Sequence, residues 1–359
     1  MKLGARIFKT GIAIILSLLV AQLVDSPSPV FAGIAAIFAV QPSIYRSYLS
    51  IIEQIQGNLI GAFFAVVFVL LLGDNFIIVG LASIIVITIN LKLKLENTIT
   101  LSLVTLIAIM ENTNGDFISF SLIRFSTIMI GVFSAFIVNL VFLPPKYETK
   151  LYFKISFTTE EIFKWIRVTT RHASEHNHVK TEIEKLKDSL IKLDQVFIFY
   201  KEERNILKRN DLVKSRKLVI YRQMITTTKR LLYVLKKLNR YGNELVQMPD
   251  DFKLTIQDQL DCLITHHQQL LLRFIGKTKL QTPEISQTLM DNNGLVHLFF
   301  NQKQTSTNEE ELALYHSMQV IAAIMDYGEH VEHLETLINS FQSYHKDENE
   351  VKIVEINHE

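Results

Sequence analysis

Arg124 is the residue whose setting most demands a chemical role. It lies inside a long apolar run of the chain, between Phe117 and Pro145. A cation at the centre of a bilayer costs about 2.5–3.5 kcal/mol on insertion scales, and less near its edge. Two readings share the residue. Its guanidinium snorkels outward toward Glu111 or Asp116, or it faces a polar cavity suited to an anion. Gln41, Asn90 and Asn97 are uncharged polar residues in or beside other apolar runs, with amides able to hydrogen-bond a small solute. Arg124, Gln41, Asn90 and Asn97 are therefore the candidate substrate-binding residues, with Asn112 beside them.

Catalytic and metal chemistry finds less support. No Walker A loop, GxGxxG or GxSxG occurs in the sequence, so ATP-driven pumping by this chain alone is not expected. His172 and His176 stand four apart, but Ala173 follows His172, so the His-Glu-x-x-His order of a zinc protease is missing. His330 and His333 lack the Glu-x-x-His pairs of a di-iron bundle. His267 falls on an apolar seam and reads as a packed residue. We expect no enzyme activity, no metal and no cofactor.

The elements that position these residues fall into two physical classes. Up to Pro145 the chain carries only Lys2, Arg6, Lys9, Arg46, Lys92, Lys94 and Arg124 as cations. Its acids there are Asp25, Glu53, Asp74, Glu96, Glu111 and Asp116. All 11 histidines and most of the charge come later. The net charge of +1 excludes the basic excess of a nucleic-acid binder. The single cysteine, Cys262, forms no intrachain disulfide and fits a reducing compartment.

Six apolar segments suit bilayer-spanning helices: Thr10–Val24, Ser26–Tyr45, Gln54–Gly73, Asn75–Leu91, Asn97–Met110 and Phe125–Pro145, the last starting near Phe117. The first resembles a signal peptide in its basic flank, but five more segments follow, so we read it as a retained span. Alternate loops hold the basic residues: Lys2 to Lys9, Arg46, Lys92 with Lys94, and Lys146 with Lys150. The opposite loops hold only acids. The positive-inside rule then gives six spans with both termini cytoplasmic. Spans one to three and four to six start from opposite sides, and the middle span of each triple is short or interrupted. That arrangement can mark a transport site, although no internal sequence identity accompanies it. Gly57-Asn58-Leu59-Ile60-Gly61 is a GxxxG run suited to close helix packing, with Asn58 able to bond across the contact.

Beyond Pro144-Pro145 the pattern becomes that of an amphipathic bundle. Seams of apolar residues three and four apart run through Ile183–Tyr200, Ile220–Tyr241, Ile256–Phe274 and Ile324–Phe341. Breaks are expected at Asn177, Gly242, Pro249, Pro283 and 302–308, and Ser306 to Glu309 offers capping residues. The fold class expected is all-α: a six-helix transmembrane domain over 1–145, a cytoplasmic helical bundle over 146–345, and a flexible tail over 346–359.

The loop Tyr45-Arg46-Ser47-Tyr48 followed by Gln56-Gly57-Asn58-Leu59-Ile60-Gly61-Ala62 resembles the fusaric acid resistance and aromatic acid exporter superfamily. Members carry an Arg-x-x-Gly-Thr-x-x-Gly-like segment here. This chain keeps Gly57 and Gly61 but has Asn58 where Thr is usual and Gln54 where the Arg falls. The final span, with Arg124, Gly131, Asn139 and Pro144-Pro145, also looks like the family's last helix, and Gly131 reads with Gly57, Asn58 and Gly61 as a packing residue. The resemblance implies efflux of small aromatic carboxylic anions across a bacterial plasma membrane. Longer relatives contain two six-span units, which implies that this chain dimerises. The partners expected are a lipid bilayer, a small organic anion and a second copy, with no nucleic acid. A membrane-anchored helical scaffold without transport activity is the alternative.

Overall fold

The structure is a computed structural model. It describes residues 5–41, 44–73, 75–111, 117–141, 147–171, 176–202, 211–278, 297, 299–300 and 311–345. Asp74, Asn112, Asp116, Pro144, Pro145, His172, the breaks at Pro283 and 302–308, the capping run and the tail lie outside the described residues. Every described element is helical. The chain divides into two compact units, Met1–Pro145 and Lys146–Glu359.

The first unit holds α1 (Ala5–Leu23), α2 (Val30–Ala39), α3 (Ile44–Leu72), α4 (Phe76–Lys92), α5 (Ile99–Met110) and α6 (Phe117–Val141). Among the described residues, only α3 and α6 contain stretches long and apolar enough to cross a membrane by themselves: Tyr45–Leu72 and Ser119–Val141. The segment expected as Ser26–Tyr45 forms a helix of 10 residues. Pro29 starts it, and extended backbone at Val40 ends it. The fifth segment opens as a 3-10 turn at Glu96–Thr98 before α5. The third helix begins at Ile44 rather than Gln54, and runs through Arg46 and Glu53 without a break. The sixth runs from Phe117, not Phe125, and ends at Val141 rather than Pro145.

This unit buries polar side chains and exposes large apolar ones. Gln54, Asn58, Asn90, Ser102, Arg124 and Asn139 are buried, while Leu19, Phe63, Leu71, Ile84, Phe133 and Ile137 are exposed. A water-soluble fold does the reverse.

Its helices form two sets of three in matching register. Gly11-Ile12-Ala13 of α1 matches Gly80-Leu81-Ala82 of α4, with Ala13 and Ala82 both fully buried. Both helices end in the same cap. Ser26 N–H bonds to the Ala21 carbonyl at 3.0 Å, and Leu95 N–H bonds to the Asn90 carbonyl at 2.9 Å. The residues that turn the chain, Asp25 and Lys94, take the left-handed φ values 51° and 59° that this closure requires. In α2 the buried face Ala32, Ala35, Ala36, Ala39 matches Ser102, Thr105, Leu106, Ile109 in α5. In α3 the buried positions Gln54, Gly57, Asn58, Gly61, Ala65 match Arg124, Thr127, Ile128, Gly131, Ala135 in α6.

Packing obeys the same exchange. α3 lies on α5, and α6 lies on α2. A Cβ at Gly61 would overlap the Ser102 carbonyl oxygen, and one at Gly131 would overlap the Ala32 carbonyl oxygen. Glycine is the residue that lets these backbones meet. One apolar cluster joins α1, α2 and α6, and another joins α3, α4 and α5.

The second unit packs α7 (Tyr147–Thr170), α8 (His176–Glu202), α9 (Asp211–Arg240), the short α10 (Gly242–Val246), α11 (Asp250–Phe274) and α12 (Glu311–His345). α9 is central, against α7, α8 and α12. The four seams meet in one core, where Phe163, Tyr221, Phe274 and Tyr327 are fully buried. Lys217 reaches Glu148 at 3.0 Å within this core, and the Tyr221 hydroxyl approaches the same carboxylate at 3.4 Å.

Candidate functional site

Arg124 sits on the inner face of α6, 4% exposed. Its guanidinium carbon stands 3.7 Å from the centre of the Phe31 ring in α2. Its Nε and one terminal nitrogen have no hydrogen-bond partner. The cation–π contact returns up to about 2 kcal/mol when desolvated. Each buried donor left unmade costs about 1–3 kcal/mol. The balance is unfavourable as the side chain stands. No ion pair joins Arg124 to a carboxylate among the described residues.

Pro27, Ser28, Phe31, Phe120, Ile123, Arg124 and Thr127 line a small cavity of about 10 Å³ at this point, room for a single water. Its wall is tied together by hydroxyls. Thr127 donates to the Ile123 carbonyl at 2.9 Å, and so accepts from Ser26 at 2.6 Å. The chain entering α2 is thereby fastened to α6 beside the cation.

Gln41 lies elsewhere, just past the other end of α2. There the last-turn carbonyls of the short helix are met by side chains from two neighbours. Ser47 donates to Ala39 at 3.0 Å, Ser50 to Phe38 at 3.3 Å and Gln54 to Ala35 at 3.3 Å. Asn139 donates to the Gln41 carbonyl at 3.0 Å and to Ser47 at 2.9 Å. The Gln41 amide turns back to Phe38 at 3.1 Å. These polar groups satisfy a helix end that stops among apolar helices.

Asn90 and Asn97 come together at a third place, where α4 meets α5. Asn90 is fully buried and its bonding is complete: Nδ2 donates to the Val86 carbonyl and Ser102, and Oδ1 accepts from Thr98 at 2.8 Å. Its role here is to lock the α4–α5 joint. Asn97 donates to Glu53 of α3 at 3.0 Å. Asn58 accepts from Thr105 of α5 and donates to the Gln54 carbonyl at 2.7 Å, so it bonds across the contact that Gly57 and Gly61 make close. The four candidate residues thus occupy three places.

Sequence reasoning passed over Phe31, and noted Gln54 only as the place where the family's Arg falls. Phe31 is one apolar residue among many until the fold lays it on Arg124. Gln54 holds the position in α3 that Arg124 holds in α6. It is 1% exposed, and its Oε1 has no partner. The signal that finds it is the repeat.

The second unit also buries polar side chains. His267 is fully buried, with Nδ1 2.9 Å from the Tyr327 hydroxyl and the Phe163 ring edge-on. Burial, aided by neighbouring His266, pushes it down to about 3, so it stays neutral. Burial alone would raise Glu335, but His266 and Arg273 outweigh that and hold it below the usual carboxylate range. Arg273 reaches Glu335 at 3.1 Å and Asn339 at 3.0 Å.

A helical unit that buries polar side chains and turns large apolar ones outward has the pattern of a membrane protein. The model of aromatic acid exporter family member 1 matches residues 1–142. Over 355 residues the chain is 52% identical to the UPF0421 protein YgaE of Bacillus subtilis (strain 168), covering 99% of this chain and 100% of that one. It is 30% identical over 199 residues to the UPF0421 protein OB2406 of Oceanobacillus iheyensis, covering 55% and 56%. A UPF0421 protein of Bacillus thuringiensis (strain Al Hakam) is 23% identical over 327 residues, covering 89% and 90%. The chain belongs to the UPF0421 proteins along its length, and its first 142 residues match the aromatic acid exporter family.

Proposed function

We propose that this protein exports small aromatic carboxylate anions across a bacterial plasma membrane. The observation that carries the reading is Arg124: a buried cation with unmade donors, under an aromatic ring, beside a small cavity. A planar guanidinium holds a carboxylate by two parallel hydrogen bonds, and an aromatic ring in Phe31's place would stack on its face.

Six spans with both ends cytoplasmic supply the frame. The loop charges support it, and so do the exposed apolar faces of the first unit. Helices α2 and α5 rise only about 15 and 18 Å, so each is an interrupted span rather than a full crossing of ~30 Å. With α1–α3 and α4–α6 entering from opposite sides, the repeat is an inverted one. Interrupted helices at its matching positions suit alternating access. The bundle over 146–345 then lies in the cytoplasm, and the working unit is a dimer of two six-helix units. The membrane potential drives anions outward, by ~2.3 kcal/mol per charge per 100 mV.

Purified protein in vesicles loaded with a panel of aromatic acids tests this reading. Release of at least one acid faster than from protein-free vesicles is expected. Release at the protein-free rate for every acid would reject it.

A further inference from the structure

We propose that the outer face of α7 and α8 docks on anionic phospholipid, its lysines taking headgroup phosphates and its phenylalanine rings entering the bilayer surface. The inference rests on the cytoplasmic placement of the bundle in the reading above, and not on export. α7 turns Leu151, Ile155 and Ile162 into the core, and presents Lys150, Phe153 and Phe157 outward. Those three stand at i, i+3 and i+7, on one helical stripe. Phe157 is 68% exposed. α8 packs against α7, and the Tyr147 and Phe199 rings, 5.5 Å apart, set the start of one beside the end of the other. On α8 the residues Ile191 and Ile198, seven apart, are exposed too. Large apolar side chains left outside a core that is already closed mark an interaction surface.

The charge on this face has one sign. Burial lowers the Lys154 ammonium from its ordinary value, and the like charges of Lys150 and of Lys192 on α8 add to the effect. None of the three lysines pairs with a carboxylate among the described residues. Nearby acids are engaged elsewhere: Asp194 is held by Lys229 at 2.8 Å, and Glu160 accepts from Gln268 at 3.1 Å. Glu161 and Asp188 come one turn beyond Phe157 and Lys192, away from the start of α7. Lys146 precedes the face in sequence, and only a short link separates the end of α6 at Val141 from Tyr147. Lysines clustered just past the cytoplasmic end of a span meet the negative surface of that leaflet. A helix face with lysines beside exposed aromatic rings lies in such a surface, rings below the headgroups. A soluble acidic partner is the other occupant this charge admits. Lipid is favoured because the lysines follow the last span directly.

The test uses the full chain in vesicles, with Cys262→Ser as background and a nitrobenzoxadiazole fluorophore on Phe157→Cys. The vesicles carry doxyl-labelled lipid as quencher, in phosphatidylcholine alone or with phosphatidylglycerol added. Phosphatidylglycerol should quench the fluorophore at about 0.1 M salt, and about 1 M salt should relieve it, because the Debye length falls from about 10 Å to about 3 Å. Each lysine is worth about fivefold in affinity for an anionic surface, so joint Lys150→Gln, Lys154→Gln and Lys192→Gln should weaken docking roughly hundredfold. The same fluorophore on Leu254→Cys, exposed on α11, should stay unquenched. Equal quenching with and without phosphatidylglycerol, or quenching that survives the triple substitution, would overturn the inference. A fluorophore shielded from water that no lipid quencher reaches would assign the face to a protein partner, and overturn it too. A chain that does not float with the vesicles would overturn the membrane reading itself, whereas loss of export with docking intact would overturn only the transport reading.

Discussion

The Arg124 guanidinium carbon lies over the Phe31 ring, 3.7 Å from its centre, and this pair joins α6 to the first turn of α2. Nε and one terminal nitrogen of the cation have no hydrogen-bond partner. Arg124→Gln should therefore lower efflux of an aromatic carboxylate at least tenfold while the protein remains inserted. Arg124→Lys should keep part of the rate, because it keeps the charge and loses the fork. Initial rates at equal reconstituted amounts check this. Rates equal to wild type in both variants would return Arg124 to a snorkelling role.

Glycine positions offer a packing test with an internal control. Gly61→Ala and Gly131→Ala each drive a Cβ into a backbone carbonyl of the facing helix, so each should destabilise by about 1–3 kcal/mol or more. At Gly11 and Gly80 a Cβ meets nothing within 4 Å, and Ala there should be neutral or stabilising. Thermal unfolding in detergent separates the two pairs. A common melting temperature for all four variants would contradict the close α3–α5 and α2–α6 approaches.

The buried Lys217–Glu148 pair in the helical bundle predicts a non-additive response. Lys217→Met strands a carboxylate beside Tyr221 and should cost about 3–5 kcal/mol. Adding Glu148→Leu should restore most of that loss. Denaturant unfolding of the bundle gives both values, and additive losses would show that the charges do not act as a pair.

His267 sets a pH dependence whose sign follows from its burial. Its folded value, about 3, lies below its ordinary value of 6.5. The unfolded chain therefore takes the proton first as pH falls. The stability this residue contributes is full above about 6.5 and declines as pH falls toward 3, by up to ~1.4 kcal/mol per pH unit. His267→Gln should flatten the fall in melting temperature between pH 7.5 and 5. The same fall in wild type and variant would contradict a neutral, buried imidazole.

The six-span reading makes a labelling pattern. With Cys262→Ser as background, cysteines replacing Asp25, Asp74 and Asn114 should react with an impermeant reagent in intact cells. Those replacing Arg46, Leu93 and Lys150 should not. Outside labelling at Leu93→Cys would break the alternation.

Much of the helical bundle was legible in the sequence. Ile183, Leu186, Ile220, Leu260, Leu334 and Ile338 recur at three and four, and all are buried. Such spacing leaves a helix one apolar face, and one core collects it. Helix ends in the first unit were less legible. A charge such as Glu53 reads as a loop in a hydropathy profile, yet inside α3 it is held by Asn97 across a helix contact. The repeat was hidden because its matching positions are small or unlike residues: Ala32 with Ser102, Gly57 with Thr127, Gln54 with Arg124. What they share is burial and a close backbone, and neither is written as residue identity. Asn90 looked open for substrate because its three partners, Val86, Thr98 and Ser102, meet it only in the fold.

The most direct test of anion export compares benzoate with benzamide, its uncharged isostere, in vesicles reconstituted with the wild-type chain. Efflux of each is followed with and without an inside-negative potential. Recognition by Arg124 predicts protein-dependent release of benzoate that the potential accelerates, and no protein-dependent release of benzamide. Benzoate release indifferent to the protein, or equal acceleration of both compounds by it, would contradict the account.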